Sequence, residues 1–190
     1  MLEIKTAHLK AALTHAAKSD ISYYLNGVCL TVGESGMGYL MATDGARAFI
    51  GSFTANWTDG KKKGPFQILI PRATVTAAIK LAGKNVLCLF DVLHDGRYSL
   101  GGVQFAAING KFPDINRVIP STISGETAQY NPEFLLAARD ALRVWHGVKK
   151  LCPAMQYNGG SLGVMTSDGA FAIVMPFVKT DDPVKPFQVI

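Results

Sequence analysis

Met41-Ala42-Thr43-Asp44-Gly45-Ala46 returns later in the chain as Met165-Thr166-Ser167-Asp168-Gly169-Ala170. Each copy is flanked by apolar, β-prone runs, and the second is followed by Ile173-Val174-Met175-Pro176-Phe177. A phrase repeated at long spacing means that one supersecondary unit has been duplicated, so the fold is read as a repeat. Working outward, three amphipathic helices are expected. Leu9, Ala12, Leu13 and Ala16 form one apolar face, Val75, Ala78, Ile79 and Ala82 a second, and Phe134, Ala138, Ala141, Leu142 and Trp145 a third. Pro71 near the second helix start and Asn131-Pro132 at the third are start signals; Gly83 and Gly147 are stop signals.

A short strand is expected before each helix: Leu2–Lys5, Phe66–Ile70 and Thr127–Tyr130. Two or three more follow each helix, joined by turns such as Asp95-Gly96 and Asn158-Gly159-Gly160. The chain therefore reads as strand–helix–strands three times, an α+β fold with a period of roughly 60 residues. The seams fall at Thr58 to Gly64 and at Pro120 to Glu126.

Composition sets the class. The chain has 190 residues, 48% of them apolar and 17% charged, which is enough apolar content for a packed core and excludes a disordered chain. No apolar run reaches the roughly 20 residues of a membrane-spanning helix, and Met1 to Thr6 alternates like a strand, unlike a signal peptide. Cys29, Cys88 and Cys152 are odd in number and far apart, which points to a reducing cytoplasm and away from zinc. No cofactor is expected.

Net charge is +5, and Gly60 to Phe90 holds no acid while holding Lys61, Lys62, Lys63, Arg72, Lys80 and Lys84. An unopposed positive field suits a polyanion; ordinary solvated lysines are the alternative. Lys10 and Lys18 lie on the outward side of the first helix, Lys80 on that of the second, and Arg139 and Arg143 on that of the third. Helix faces sharing one sign suit sequence-blind phosphate contacts.

Six phrases, in order, resemble those of a known family, the bacterial DNA polymerase III β subunit or sliding clamp. They are Ser22-Tyr23-Tyr24-Leu25-Asn26-Gly27-Val28, Ala42 to Ala48, Ile70-Pro71-Arg72, Gly110 to Pro120, Tyr130 to Leu135, and Ile173 to Phe177. The resemblance implies a DNA clamp fold, with antiparallel sheets outside and helices on one face lining a DNA channel. It implies that residues 1–122 correspond to the clamp's middle domain, 123–178 to the second half of its last domain, and 179–190 to a tail. The family has six units where this chain has three, so the resemblance is to a shortened clamp, of a kind that a phage or mobile element could encode.

The same resemblance implies no bond chemistry, duplex DNA against Lys10, Lys18, Arg72, Lys80, Arg139 and Arg143, and a pocket for short apolar motifs of polymerases. Its lining would be Leu25, Thr43, Gly45, Ala46, Arg47, Pro120, Ile173, Met175 and Pro176. Ala46, Ala48 and Phe177 replace the family's His, Leu and Met. A clamp loader is a further implied partner. An odd number of units leaves a sheet edge open, which implies a homo-oligomer, with four chains supplying twelve units. Two other functions stay open: a clamp mimic that forms no ring and captures clamp-binding peptides, and a metal-dependent hydrolase using Asp44 and Asp168. Against the hydrolase, Asp-Gly is common turn chemistry, and His8, His15, His94 and His146 are scattered.

Overall fold

In the computed structural model, residues 1–60, 64–93, 96–119 and 121–177 are described. Lys61 to Lys63, the Asp95 turn position, Pro120 and the tail expected at 179–190 lie outside them. The elements are β1 (Leu2–Lys5), α1 (Thr6–Leu13), β2 (Gly27–Val32), β3 (Met37–Thr43), β4 (Arg47–Thr54), β5 (Asn56–Trp57), β6 (Phe66–Pro71), α2 (Arg72–Ala82), β7 (Leu87–Val92), β8 (Tyr98–Leu100), β9 (Val103–Phe105), α3 (Pro132–His146), β10 (Ala154–Asn158), β11 (Leu162–Ser167) and β12 (Ala170–Val174). The α+β reading and the repeated unit hold.

The strands form two antiparallel sheets, β5-β1-β7-β8-β9 and β10-β11-β12-β4-β3-β2-β6. The first two units exchange their leading strands. β1 pairs with β7 of the second unit, and β6 pairs with β2 of the first. The third unit joins through β12, which runs against β4 with Val174 opposite Arg47 and Ala170 opposite Gly51. The helices lie on one side of these sheets over a continuous core that includes Leu2, Ile4, Leu9, Leu30, Leu40, Phe49, Ile70, Phe90 and Leu142. Strand alternation sends a second apolar set to the opposite face: Cys29, Ala48, Ile50, Leu69, Val164 and Ile173. Phe112 and Ile115, from the segment after β9, cover that face.

Three local expectations change. The first helix ends at Leu13, short of Ala16: past it the ladder tightens, with the N–H groups of Thr14, His15 and Ala16 donating to the carbonyls of Ala11, Ala12 and Leu13, and the Thr14 hydroxyl donates to the Ala11 carbonyl at 2.7 Å. Asn56–Trp57 forms an extra strand on the edge of β1. Thr127–Tyr130 forms no strand. The third helix is as expected: the Asn131 side chain accepts from the Glu133 N–H, Pro132 opens the first turn, and Gly147 closes the helix at φ 67. In that left-handed position Gly147 lets the Val148 N–H reach back to the Arg143 carbonyl at 3.1 Å.

Candidate nucleic-acid and peptide interfaces

α1 is seated between its two neighbours. The Thr6 N–H and hydroxyl donate to the carbonyls of Val86 and Asn85, at 2.7 and 2.9 Å, locking the helix start to the turn after α2. On the other side the His8 ring stacks on Trp145 of α3, 3.7 Å between centroids. The indole in turn lies against Gly51 of β4, where any Cβ would stand 2.3 Å from a ring carbon. Glycine is therefore required for this approach of helix to sheet.

These two anchors create a cleft where the three helices converge. Lys10 of α1, Lys84 after α2, Arg143 of α3 and Lys149 beyond it line a hollow of about 630 Å³, together with Ala7, Asn85, Val144 and Val148. No carboxylate is among its lining residues. Lys84 and Lys149 were not singled out for this face by helical spacing, since both lie past a helix end.

The other expected DNA-facing cations divide into two groups. Lys18 and Lys80 are exposed. Arg72 is half-buried and donates to the Leu13 and Ala16 carbonyls at 3.0 and 2.7 Å, so its guanidinium caps the end of α1. Arg139 and Arg143 both reach Asp140, at 2.8 and 3.5 Å, which offsets part of their charge.

The β4–β12 ladder gathers most of the expected peptide-pocket residues. The Thr43 hydroxyl donates to the Arg47 carbonyl and accepts from the Gly45 N–H. Asp44 accepts from the N–H groups of Ala46 and Arg47, and its other oxygen binds Arg47 Nε at 2.9 Å. The Arg47 guanidinium also lies over the Phe134 ring, 4.9 Å from its centroid, tying the turn to α3. The Met175 N–H donates to the Ala46 carbonyl at 2.9 Å, and Ile173 pairs with Ala48. Thr43, Gly45, Ala46, Arg47, Ile173 and Met175 thus sit together at one end of the joint between the first and third units.

Leu25 is buried on a single 3-10 turn, Tyr23–Leu25, and belongs to neither apolar cluster; its neighbour Tyr24 packs on the outer one. Pro176 lines a separate hollow with Phe177 and residues 126–129. Sequence reasoning missed a cleft of about 520 Å³ farther along the outer face, between the sheet (Tyr39, Met41, Ile50, Phe171) and the covering segment (Phe112, Pro113, Ile115, Ile119). The signal lay in the phrase Gly110 to Pro120, whose apolar positions have no helical or strand period.

The two Asp-Gly turns lie at opposite ends of the β4–β12 ladder, so Asp44 and Asp168 do not converge on one site. Asp44 is also occupied by Arg47. Among the described residues no cluster of histidine, cysteine and carboxylate groups has metal-binding geometry, and no helix is long and apolar enough to cross a membrane.

Two exchanged-strand units with a third paired through β12, helices on one side and sheets on the other, make a DNA clamp fold. No protein-family profile matches the chain. In sequence it is similar to the beta sliding clamp of Pseudomonas aeruginosa, 27% identical over 160 residues that make up 80% of this chain and 41% of that protein. It is also similar to that of Pseudomonas putida, 31% identical over 108 residues, 55% of this chain and 28% of that one. In structure it matches the DNA polymerase III subunit beta of P. aeruginosa (TM-score 0.70, 18% identity, 93% of this chain and 66% of that one). A putative β subunit from Eubacterium rectale matches too (TM-score 0.72, 12% identity, 92% and 64%). The resemblance to the bacterial DNA polymerase III β subunit, the sliding clamp, is borne out for a chain that spans under half the length of its curated relatives.

Proposed function

We propose that this chain is a clamp-like processivity factor of DNA replication. It binds duplex DNA without reading sequence, holds a DNA polymerase through a short apolar motif, and carries out no bond chemistry. The observation that carries this reading is the acid-free cleft of Lys10, Lys84, Arg143 and Lys149 on the helix side of a clamp fold. Separate lysines around an open hollow suit phosphates held loosely, since salt-labile contacts allow sliding. Lys18 and Lys80, both exposed, add to the positive charge of the chain.

The polymerase motif docks at the other end of α3 from this cleft, at the Thr43–Arg47 turn beside Ile173 and Met175. There the exposed Met175, two residues past the buried Ile173, adjoins a fixed turn, an arrangement that suits a short apolar peptide. Asp44 and Phe134 hold Arg47 in place for it. Residues 1–122 act as a two-unit body and 123–178 as a half body joined through β12. The working form is a homo-oligomer in a bacterial cytoplasm, and loading on closed DNA calls for a clamp loader.

A second reading has one observation in its favour. Arg72, Arg139 and Arg143 are engaged within the chain, which thins the charge facing DNA. On that reading the protein is a clamp mimic that captures clamp-binding peptides.

The test is anisotropy with two labelled duplexes of unrelated sequence and with a labelled peptide carrying a clamp-binding motif. The processivity reading expects equal affinity for both duplexes, loss in a K10E/K84E/K149E variant, and unaltered peptide binding in that variant. Peptide binding with no DNA binding would establish the mimic. Met175→Asp should abolish peptide binding and leave DNA binding intact.

A further inference from the structure

The first two units each send the strand before their helix into the other unit's sheet, β1 onto β7 and β6 onto β2. In both cases the residue just before the helix stands opposite the first residue of the receiving strand: Lys5 opposite Leu87, and Pro71 opposite Gly27. The third unit has both halves of this device and uses neither. Its leading segment, Thr127–Tyr130, alternates exposed and half-buried residues as a strand does, yet it pairs with no strand among the described residues. Its receiving strand, β10, is the end strand of the seven-stranded sheet: no strand pairs with its outer side among the described residues, and only its C-terminal end, at Tyr157 and Asn158, is met there by Gly125 and Ser124.

The connection between the second unit and α3 does not contain a fourth unit. The 3-10 turn Ile115–Arg117 is followed by α3 at Pro132, too short a span for a strand, a helix and three further strands. Within β10, Ala154–Asn158 carries neither charge nor proline, the usual guards of an open edge. The Tyr130 hydroxyl, just before α3, is buried without a partner among the described residues.

We propose that a second copy of this chain completes the third unit by reciprocal strand exchange. The 127–131 segment of each copy lies along β10 of the other, across a two-fold axis. The register repeats that of the first two units. Asn131 of one copy stands opposite Ala154 of the other, Tyr130 opposite Met155, and Gln129 opposite Gln156. Pairing stops there, because Tyr157 already accepts from its own chain's Gly125 N–H at 2.9 Å. The exchange gives up the bond of the isolated chain from the Phe177 N–H to the Gln129 carbonyl and moves the Tyr130 ring from its place against Gly163 and Tyr157. In return each copy gains a ladder on both segments. This inference rests on the homo-oligomer reading and specifies its contact.

The test uses two single variants, Gln129→Cys and Gln156→Cys, each with the exposed Cys152 replaced by serine; Cys29 and Cys88 are buried. They are mixed, oxidised mildly and analysed by mass spectrometry, with light scattering on the unmodified protein. The expected result is a doubling of mass in solution and a disulfide between chains joining positions 129 and 156. A control pairing Gln129→Cys with Gln104→Cys on β9 should give none. An oligomer without the 129–156 link would leave the homo-oligomer reading standing and overturn the exchange. A monomer at high concentration would overturn both.

Discussion

Gly51→Ala should be among the most damaging single-methyl additions in this protein. A Cβ at position 51 would stand 2.3, 2.4 and 2.6 Å from three carbons of the Trp145 ring. Ordinary contact needs over 3.4 Å, so the indole must retreat by about 1 Å in a close-packed interior. That ring is stacked on His8 and tilted against Phe49 at 5.5 Å, so its retreat opens the α1–α3 contact as well as the β4 surface. Overpacking of this kind costs about 1–3 kcal/mol. The assay is urea unfolding followed by tryptophan fluorescence, with the loss read as a lower midpoint at unchanged slope. A double-mutant cycle isolates the cause. Trp145→Ala alone should cost about 3–5 kcal/mol, and in its background Gly51→Ala should cost nothing further, because the clash is gone. A loss within about 0.5 kcal/mol for Gly51→Ala alone, or an equal loss in both backgrounds, would refute the packing argument.

Stability should fall in mild acid. Burial lowers the pKa of His15 to about 3, with Arg47 adding to the effect, and burial, Lys5 and His146 lower that of His8 to about 4. Both folded values lie below the unfolded 6.5 or so. The unfolded chain therefore binds protons first as pH drops, and stability present above about 6.5 is lost progressively toward 4 and 3. At pH 4.5 each histidine should cost about 2–3 kcal/mol, and His15→Phe should flatten the urea midpoint between pH 7 and 4.5. Asn131→Ala removes the α3 cap and should cost about 1 kcal/mol, read in a thermal melt. Phe112→Ala uncovers the outer sheet face and should cost about 3–5 kcal/mol, while raising binding of a dye specific for exposed apolar surface.

The parts of this fold legible in the sequence are those encoded locally. Asn131-Pro132 and Gly147 bracket α3 because capping chemistry needs only neighbours in the chain. The repeated Asp-Gly turn marks the duplication because the same hairpin geometry demands the same residues. What stayed hidden is non-local. The exchange of β1 and β6 between units depends on pairings that no periodicity encodes. Arg72 reads as a free cation until the fold brings it to the Leu13 carbonyl, 59 residues away. Lys84 and Lys149 gain their place only once Gly83 and Gly147 have turned the chain back into one cleft. Leu25 and Tyr24 show the limit from the other side: on a single 3-10 turn, neighbours face different directions, and no repeat tells which one reaches the outer face.

The central claim is a sequence-blind electrostatic grip on duplex DNA by the helix side, and its most direct test is a salt titration of duplex affinity. The logarithm of the binding constant should fall linearly with the logarithm of salt concentration, by about 0.9 per phosphate neutralised, equally for duplexes of unrelated sequence. Removing Lys10, Lys84 and Lys149 one after another should flatten the slope by about one unit per lysine. A slope that these substitutions leave unchanged would place the DNA elsewhere and contradict the account.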